Sequence, residues 1–285
     1  MRYIFLRYPN GRAKAVTLSY DDGCAADVRM AETVTKYGLK CTFNLNGDAL
    51  HAPSFRITDE QVRALILDAG HEVAVHGYNH RAPGAVRATA GIRDVLDCRL
   101  NLEKRFGRII RGMAYPDSGI RLFSNGSDPE GVKRYLRDLG IVYARTLGGD
   151  NADFCLPEDF LCWMPTAHHN NSALFDMVDR FLALDFTKIY SAGRYPRLFY
   201  LWGHSYEFDR ADNWDVIERF GERMGGRDDI WYATNIEIYD YVTAFHSLVF
   251  SADESIVYNP TLKDLWLDVD GRSVFIASGE TLHIQ

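Results

Sequence analysis

The sequence predicts an α/β protein built on parallel strands, followed by a small antiparallel β extension. Three observations carry this. Short apolar runs alternate with amphipathic helical stretches seven or eight times between residues 15 and 245. No linker, repeat or low-complexity segment interrupts the series. From about residue 246 the texture changes to alternating residues, and Asp270-Gly271 supplies a hairpin dipeptide. Strand–helix units in series imply crossover connections, in a barrel or an open sheet; the count favours the barrel. The expected division is therefore 1–245 for the barrel and 246–285 for an extension packed on it. About 40 residues is marginal for independent stability.

The elements follow in order. "AVTLSY" (15–20) reads as a strand, and "DVRMAETVTKYG" (27–38) as a helix stopped by Gly38. "CTFNLN" (41–46) is a strand. A helix then opens at Thr58, with Gln61 at capping-box spacing and Gly70 at its end. "HEVAVH" (71–76) is a strand, followed by a long helix around 85–106. "IIRGMAY" (109–115) is a strand and 127–140 a helix, with Ser127 and Glu130 as its capping pair. "IVYART" (141–146), 172–184, "RLFYLW" (197–202), 213–225, 230–234 and 235–245 continue the alternation.

Composition narrows the function. The net charge is −7 and no Lys/Arg-rich run stands out, which argues against a nucleic-acid partner. No apolar run approaches a membrane span. Arg2 and Arg7 interrupt any signal-peptide core, so a cytoplasmic location is expected, with secretion open if a leader has been trimmed. Five scattered cysteines without a CxxC spacing fit reduced thiols, with Cys41 and Cys98 in the core. Oligomeric state is not legible.

In parallel α/β folds, sites gather where strands end. Here Asp21-Asp22 ends one strand run, His76 and His80 follow another, Arg111 and Tyr115 lie near a third, and His204 follows a fourth. His76 and His80, at i, i+4, would share one side of a helical turn. Two imidazoles and a carboxylate form a common ligand set for a catalytic divalent metal. Histidines that are merely surface or hydrogen-bonded residues are the bland alternative, as a solvated turn is for "DDG". The functional reading divides the acids: one binds metal and the other is a general base. Arg111 could hold that base ionised.

These segments resemble the polysaccharide deacetylase family, the NodB-homology or carbohydrate esterase 4 group. "LSYDDG" (18–23) is similar to its first motif, "HGYNH" (76–80) to its second, "RGMAYP" (111–116) to its third and "LWGH" (201–204) to its last; Trp163 stands for the fourth. The resemblance implies a distorted (β/α) barrel of about seven strands and metal-dependent removal of an N- or O-acetyl group from a sugar. It makes Asp21 the base, and Asp22, His76 and His80 the metal ligands. Arg111 would orient Asp21, the Tyr115 backbone N–H would stabilise the oxyanion, and His204 would be the general acid. Trp163, Pro116 and Trp202 would line the substrate site. Zn2+ suits the ligand set, with Co2+, Ni2+ or Fe2+ as alternatives.

Gly77 replaces the second motif's usual Ser/Thr, so a loop-ordering hydrogen bond is expected to be missing. The acid supporting His204 is not evident, and Asp150 and Asp153 are the candidates. His168, His169, Tyr206 and Glu207 are equally readable as substrate contacts or as loop residues. The expected partner is an acetylated saccharide, a small oligosaccharide or metabolite rather than insoluble polymer. Two further readings remain: a metal-dependent C–N hydrolase acting on a small amide, and a carbohydrate-binding protein without turnover.

Overall fold

The computed structural model describes residues 2–47, 52–117, 119–120, 128–147, 151–190 and 193–284. In chain order they form β1 (Ile4–Arg7), β2 (Lys14–Asp21), α1 (Asp27–Lys36), β3 (Cys41–Leu45) and α2 (Asp59–Gln61, continued by a wider-wound segment Val62–Leu67). Next come β4 (Glu72–Val75), α3 (Ala88–Phe106), β5 (Gly112–Ala114), α4 (Pro129–Asp138), β6 (Tyr143–Arg145), β7 (Ala167–His168) and α5 (Leu174–Leu182). β8 (Arg197–Gly203), α6 (Tyr206–Ala211), α7 (Asp215–Met224), β9 (Ile230–Tyr232) and α8 (Asn235–His246) complete the α/β part. The tail holds β10 (Val249–Phe250), β11 (Ile256–Tyr258), β12 (Leu265–Val269), β13 (Arg272–Ile276) and β14 (Thr281–His283).

The parallel strands run β6-β5-β4-β3-β2-β8-β7, with β9 on the first residues of β2. β2 is central, and every one of its residues is buried. A parallel strand has layers on both faces. Residues 163–168 span the gap between the sheet's two ends. Trp163 bridges to Arg145 of β6, and Ala167–His168 pair with β8. The curled sheet so formed matches the expected distorted barrel.

Local signals hold at their named residues. Thr58 and Gln61 cap each other reciprocally, as do Thr234 and Glu237. α4 is capped by Asp128, whose side chain accepts from the Gly131 N–H; Ser127 lies outside the described residues. Cys41 and Cys98 are buried, and no disulfide joins any of the five cysteines, all of which are described. Among the described residues no helix is long and apolar enough to cross a membrane.

The tail folds as expected at its turn. β12 and β13 are joined by Asp270 and Gly271, both with positive φ (52° and 87°), as a two-residue hairpin requires. The boundary at 245 is less clean. β1, at the other end of the chain, pairs with β12. Arg7 of β1 reaches Asp268 at 2.8 Å. Leu265, Leu267, Val269 and Ile276 share one apolar cluster with Ala15, Leu198 and α8. This sheet covers the end where β2 and β8 begin, which leaves the opposite end for chemistry.

Candidate active site

Asp21 is the last residue of β2, and Asp22 follows it in a left-handed conformation (φ 80°). Few non-glycine residues adopt that region, and such strain persists where surrounding structure fixes it. The turn aims the two carboxylates differently. Asp21 lies almost fully buried in the sheet. Asp22 faces the histidines, with its Oδ1 at 3.5 Å from both His76 Nε2 and His80 Nε2.

His76 and His80 do not sit on a helical turn. The segment after β4 is a loop, with positive φ at Gly77 (76°) and His80 (54°). Those two reversals bring the rings to 4.8 Å between centroids, 73° apart in plane. The missing Ser/Thr is compensated from α3. Asp94 accepts from the Asn79 backbone N–H at 2.8 Å, the Asn79 side chain at 3.0 Å and the Arg81 backbone N–H at 3.3 Å. A Cβ at position 77 would lie 2.6 Å from Asp94 Oδ2, so glycine is what admits this brace.

These three residues fit a metal ion. His76 Nδ1 donates to the Ala114 carbonyl at 2.9 Å, which leaves the Nε2 lone pair facing Asp22. Asp22 Oδ1 is buried with no hydrogen-bond partner among the described residues. Tetrahedral zinc with bonds of about 2.1 Å spaces its ligand atoms by about 3.4 Å. The two Asp22 separations, at 3.5 Å, match that spacing.

Asp21 is held by Arg145, not by Arg111. The Arg145 Nη2 donates to Asp21 Oδ2, and both side chains are buried. Arg111 instead pairs with Asp240 of α8 at 2.8 Å. The reason is topological. Arg111 precedes β5, at the strand's beginning, whereas Asp21 ends its strand; Arg145 ends β6 and so reaches the same rim. The rule that located Asp21 also applies to Arg145 in "IVYART". Burial alone would raise the Asp21 carboxyl, but Arg145, His76 and His204 outweigh it and hold the group below the usual carboxylate range. Asn44 adds a donor at 2.8 Å.

Four further expectations are corrected. The Tyr115 backbone N–H donates to the Arg145 carbonyl at 3.0 Å, within the β5–β6 pairing, and so is engaged by the sheet. Trp163 is fully buried among Tyr143, Phe160 and Tyr200, in the core rather than on a pocket wall. Trp202 is nearly buried, with its ring 4.3 Å from the Arg145 guanidinium and 4.6 Å from the His168 ring. It packs the residue that holds the base, and cation–π attraction suits that role. Pro116 is buried behind the histidine loop, beside Gly77.

His204 follows β8, with Nε2 3.9 Å from Asp21 Oδ2 and 4.0 Å from Asp22 Oδ2. Its Nδ1 faces Glu207 Oε1 at 3.4 Å, an ion-pair separation rather than a well-directed hydrogen bond. Burial works to lower this imidazole, but Glu207, Asp21 and Asp22 raise it above its ordinary value. Glu207 is thus the acid beside His204; Asp153 is exposed, and Asp150 lies outside the described residues. Its signal in the sequence is its place three residues after His204, in the first turn of α6.

The rim of the curled parallel sheet thus carries a two-histidine, one-aspartate cluster and a buried second aspartate. Residues 8–143, which hold the first three motifs, match the family model described as polysaccharide deacetylase. The fold agrees across more of the molecule. A protein from Mycobacterium smegmatis assigned as a polysaccharide deacetylase is 18% identical, covering 85% of this chain and 94% of that one, with a TM-score of 0.58. The PuuE allantoinase is 14% identical, covering 84% and 93%, with a TM-score of 0.57. No curated protein matches the sequence.

Proposed function

We propose that this chain is a metal-dependent hydrolase that removes an acetyl group, N- or O-linked, from a saccharide. The observation that carries it is the pairing of two unlike carboxylates. Asp22 is an unpartnered oxygen between two imidazoles, and next to it Asp21 is held ionised by Arg145.

Asp22, His76 and His80 would hold the ion, with zinc the best match to the ligand set and cobalt, nickel or iron as alternatives. When bound, it would supply Lewis acidity at the scissile carbonyl. The chain's own residues supply the proton transfers. Asp21, ionised at neutral pH, takes the proton of the attacking water. His204 Nε2 faces the same space from β8 and gives a proton to the leaving amine or alcohol. Arg145, stacked on Trp202, keeps Asp21 charged and fixed. The family match supports an acetylated carbohydrate as substrate.

A second reading, a C–N hydrolase acting on a small amide, draws on the allantoinase, whose fold fits as well as that of the deacetylase. One experiment separates the readings: acetate release from N- and O-acetylated mono- and oligosaccharides, after chelation and with single-metal add-back. Metal-restored acetate release supports deacetylation. No acetate with any metal, but turnover of small amides, favours the second reading.

A further inference from the structure

Glu207 and Asp117 both face imidazole nitrogens on this rim, and of the two only Asp117 faces a proposed metal ligand. His168 Nε2 lies 3.2 Å and His169 Nε2 3.1 Å from Glu207 Oε2, and His204 Nδ1 lies 3.4 Å from Oε1. None of those three rings belongs to the proposed metal group. Asp117 Oδ2 lies 3.7 Å from Nδ1 of His80, whose Nε2 faces Asp22 at 3.5 Å. Asp117 thus meets His80 from behind.

One short segment at the end of β5 backs both histidines of the group. Ala114, the last residue of the strand, accepts from His76 Nδ1 at 2.9 Å through its carbonyl. Pro116 lies behind Gly77, where an added Cβ would come within 3.3 Å of the proline ring. The Gly119 N–H then donates to the Pro116 carbonyl at 2.9 Å and closes a tight turn. Asp117 is the first residue inside that turn, with a left-handed φ of 45°. Glycine takes this conformation without steric cost, whereas aspartate takes it under some strain. The Asp117 side chain is 65% exposed, so core packing does not account for a side chain at this position. What the aspartate adds over glycine is a carboxylate opposite His80.

We infer that Asp117 is a positioning residue for the metal ligand His80. A ligating imidazole needs its far nitrogen held, because that fixes the ring plane and the tautomer and makes the ligating nitrogen more basic. For His76 a neutral backbone carbonyl does this. For His80 the carboxylate of Asp117 does it: Nδ1 keeps the proton, and Nε2 turns its lone pair towards Asp22. At 3.7 Å the contact is an ion-pair separation, longer than a hydrogen bond. The inference rests on the proposed metal reading, with Asp22, His76 and His80 as the ligands.

The test pairs two measurements on the full, chelator-stripped chain at one pH: zinc affinity by competition with a chelator, and unfolding in denaturant without metal. Asp117→Asn should weaken zinc about tenfold, the lower end of what an outer partner of a ligand contributes, because this pair is exposed. Asp117→Gly should weaken zinc as much, while its metal-free unfolding midpoint stays level or rises, since glycine releases the strain of the turn. A residue that served only the turn would not separate the two readouts in this way. The loss of affinity should persist in about 0.5 M salt, where a carboxylate acting only as a distant surface charge is screened. Zinc affinity within about twofold of wild type in both variants would overturn the role. So would a loss that disappears in salt, or one matched by a fall in the metal-free midpoint of both variants. These outcomes concern Asp117 alone as long as wild type binds zinc. If wild type binds no zinc, cobalt or nickel, the metal reading fails first and takes this inference with it.

Discussion

Two clusters of histidine and carboxylate lie on one rim of this barrel, and their chemistry diverges. In the first, Asp22 Oδ1 has no donor among the described residues, and His76 Nδ1–H donates to a backbone carbonyl. In the second, the carboxylate is crowded by ring nitrogens, and a backbone N–H occupies the His168 lone pair. Residue type and spacing do not separate them; the partner of the second ring nitrogen does. The first cluster is the one we propose to hold a cation, whereas in the second the carboxylate already has ring nitrogens around it. Burial would raise the Glu207 carboxyl, but His168, His169 and His204 reverse this and hold it well below the usual carboxylate range.

The sharpest way to break this contrast is to exchange the roles of the adjacent acids. Asp22→Asn should lose bound metal and activity together, by about a thousandfold or more. Asp21→Asn should lose activity on a similar scale and keep the metal. Metal analysis and acetate release on the same samples check both. If Asp21→Asn also loses the metal, the division of labour is wrong.

Arg145 comes next. Removing it leaves Asp21 buried without a partner, so Arg145→Met should cost about 3–5 kcal/mol in denaturant unfolding. Adding Asp21→Asn should recover part of that. A loss below about 1 kcal/mol would contradict the pairing.

A third effect lies beneath both clusters. Asp27, the first residue of α1, is buried, accepts from Ser205 Oγ at 2.6 Å, and is pushed up to about 8, chiefly by burial. A carboxyl whose folded pKa is raised stabilises fully below its unfolded value near 4, and that stability is lost as pH rises through about 8. Asp27→Asn, which mimics the neutral acid, should therefore gain on wild type as pH rises from about 4 to 8, by about 5 kcal/mol at pH 9. Unfolding curves at pH 5 and pH 9 test this; the same difference at both would refute it.

The smallest effect belongs to Arg111. Its pair with Asp240 is partly exposed, so Arg111→Ala should change stability by about 1 kcal/mol or less and activity by less than about threefold. A thousandfold loss would restore Arg111 to the site.

Much of this was legible in the sequence. The strand–helix alternation, the capping pair at Thr58 and the Asp270-Gly271 turn follow from periodicity and residue type, which act locally; the grouping of Asp22 with His76 and His80 follows from the motif resemblance. The rest depends on register between distant strands. Arg111 and Arg145 both lie in strand-like runs, and only strand ends show which reaches Asp21. The Tyr115 N–H is taken by a sheet bond whose partner lies 30 residues away in β6. Trp163 reads as a pocket wall until the segment between β6 and β8 buries it. β1 pairs with a strand near the other end of the chain, so nothing local marks it. Glu207 was in view at i+3 from His204, but its nearness to His168 and His169 depends on how β7 pairs with β8.

The most direct test of the central claim is to count zinc bound to chelator-stripped protein in wild type, His76→Ala and His168→Ala. The account predicts one equivalent in wild type, none in His76→Ala and one in His168→Ala. Two equivalents in wild type, or loss of the ion in His168→Ala but not in His76→Ala, would contradict it.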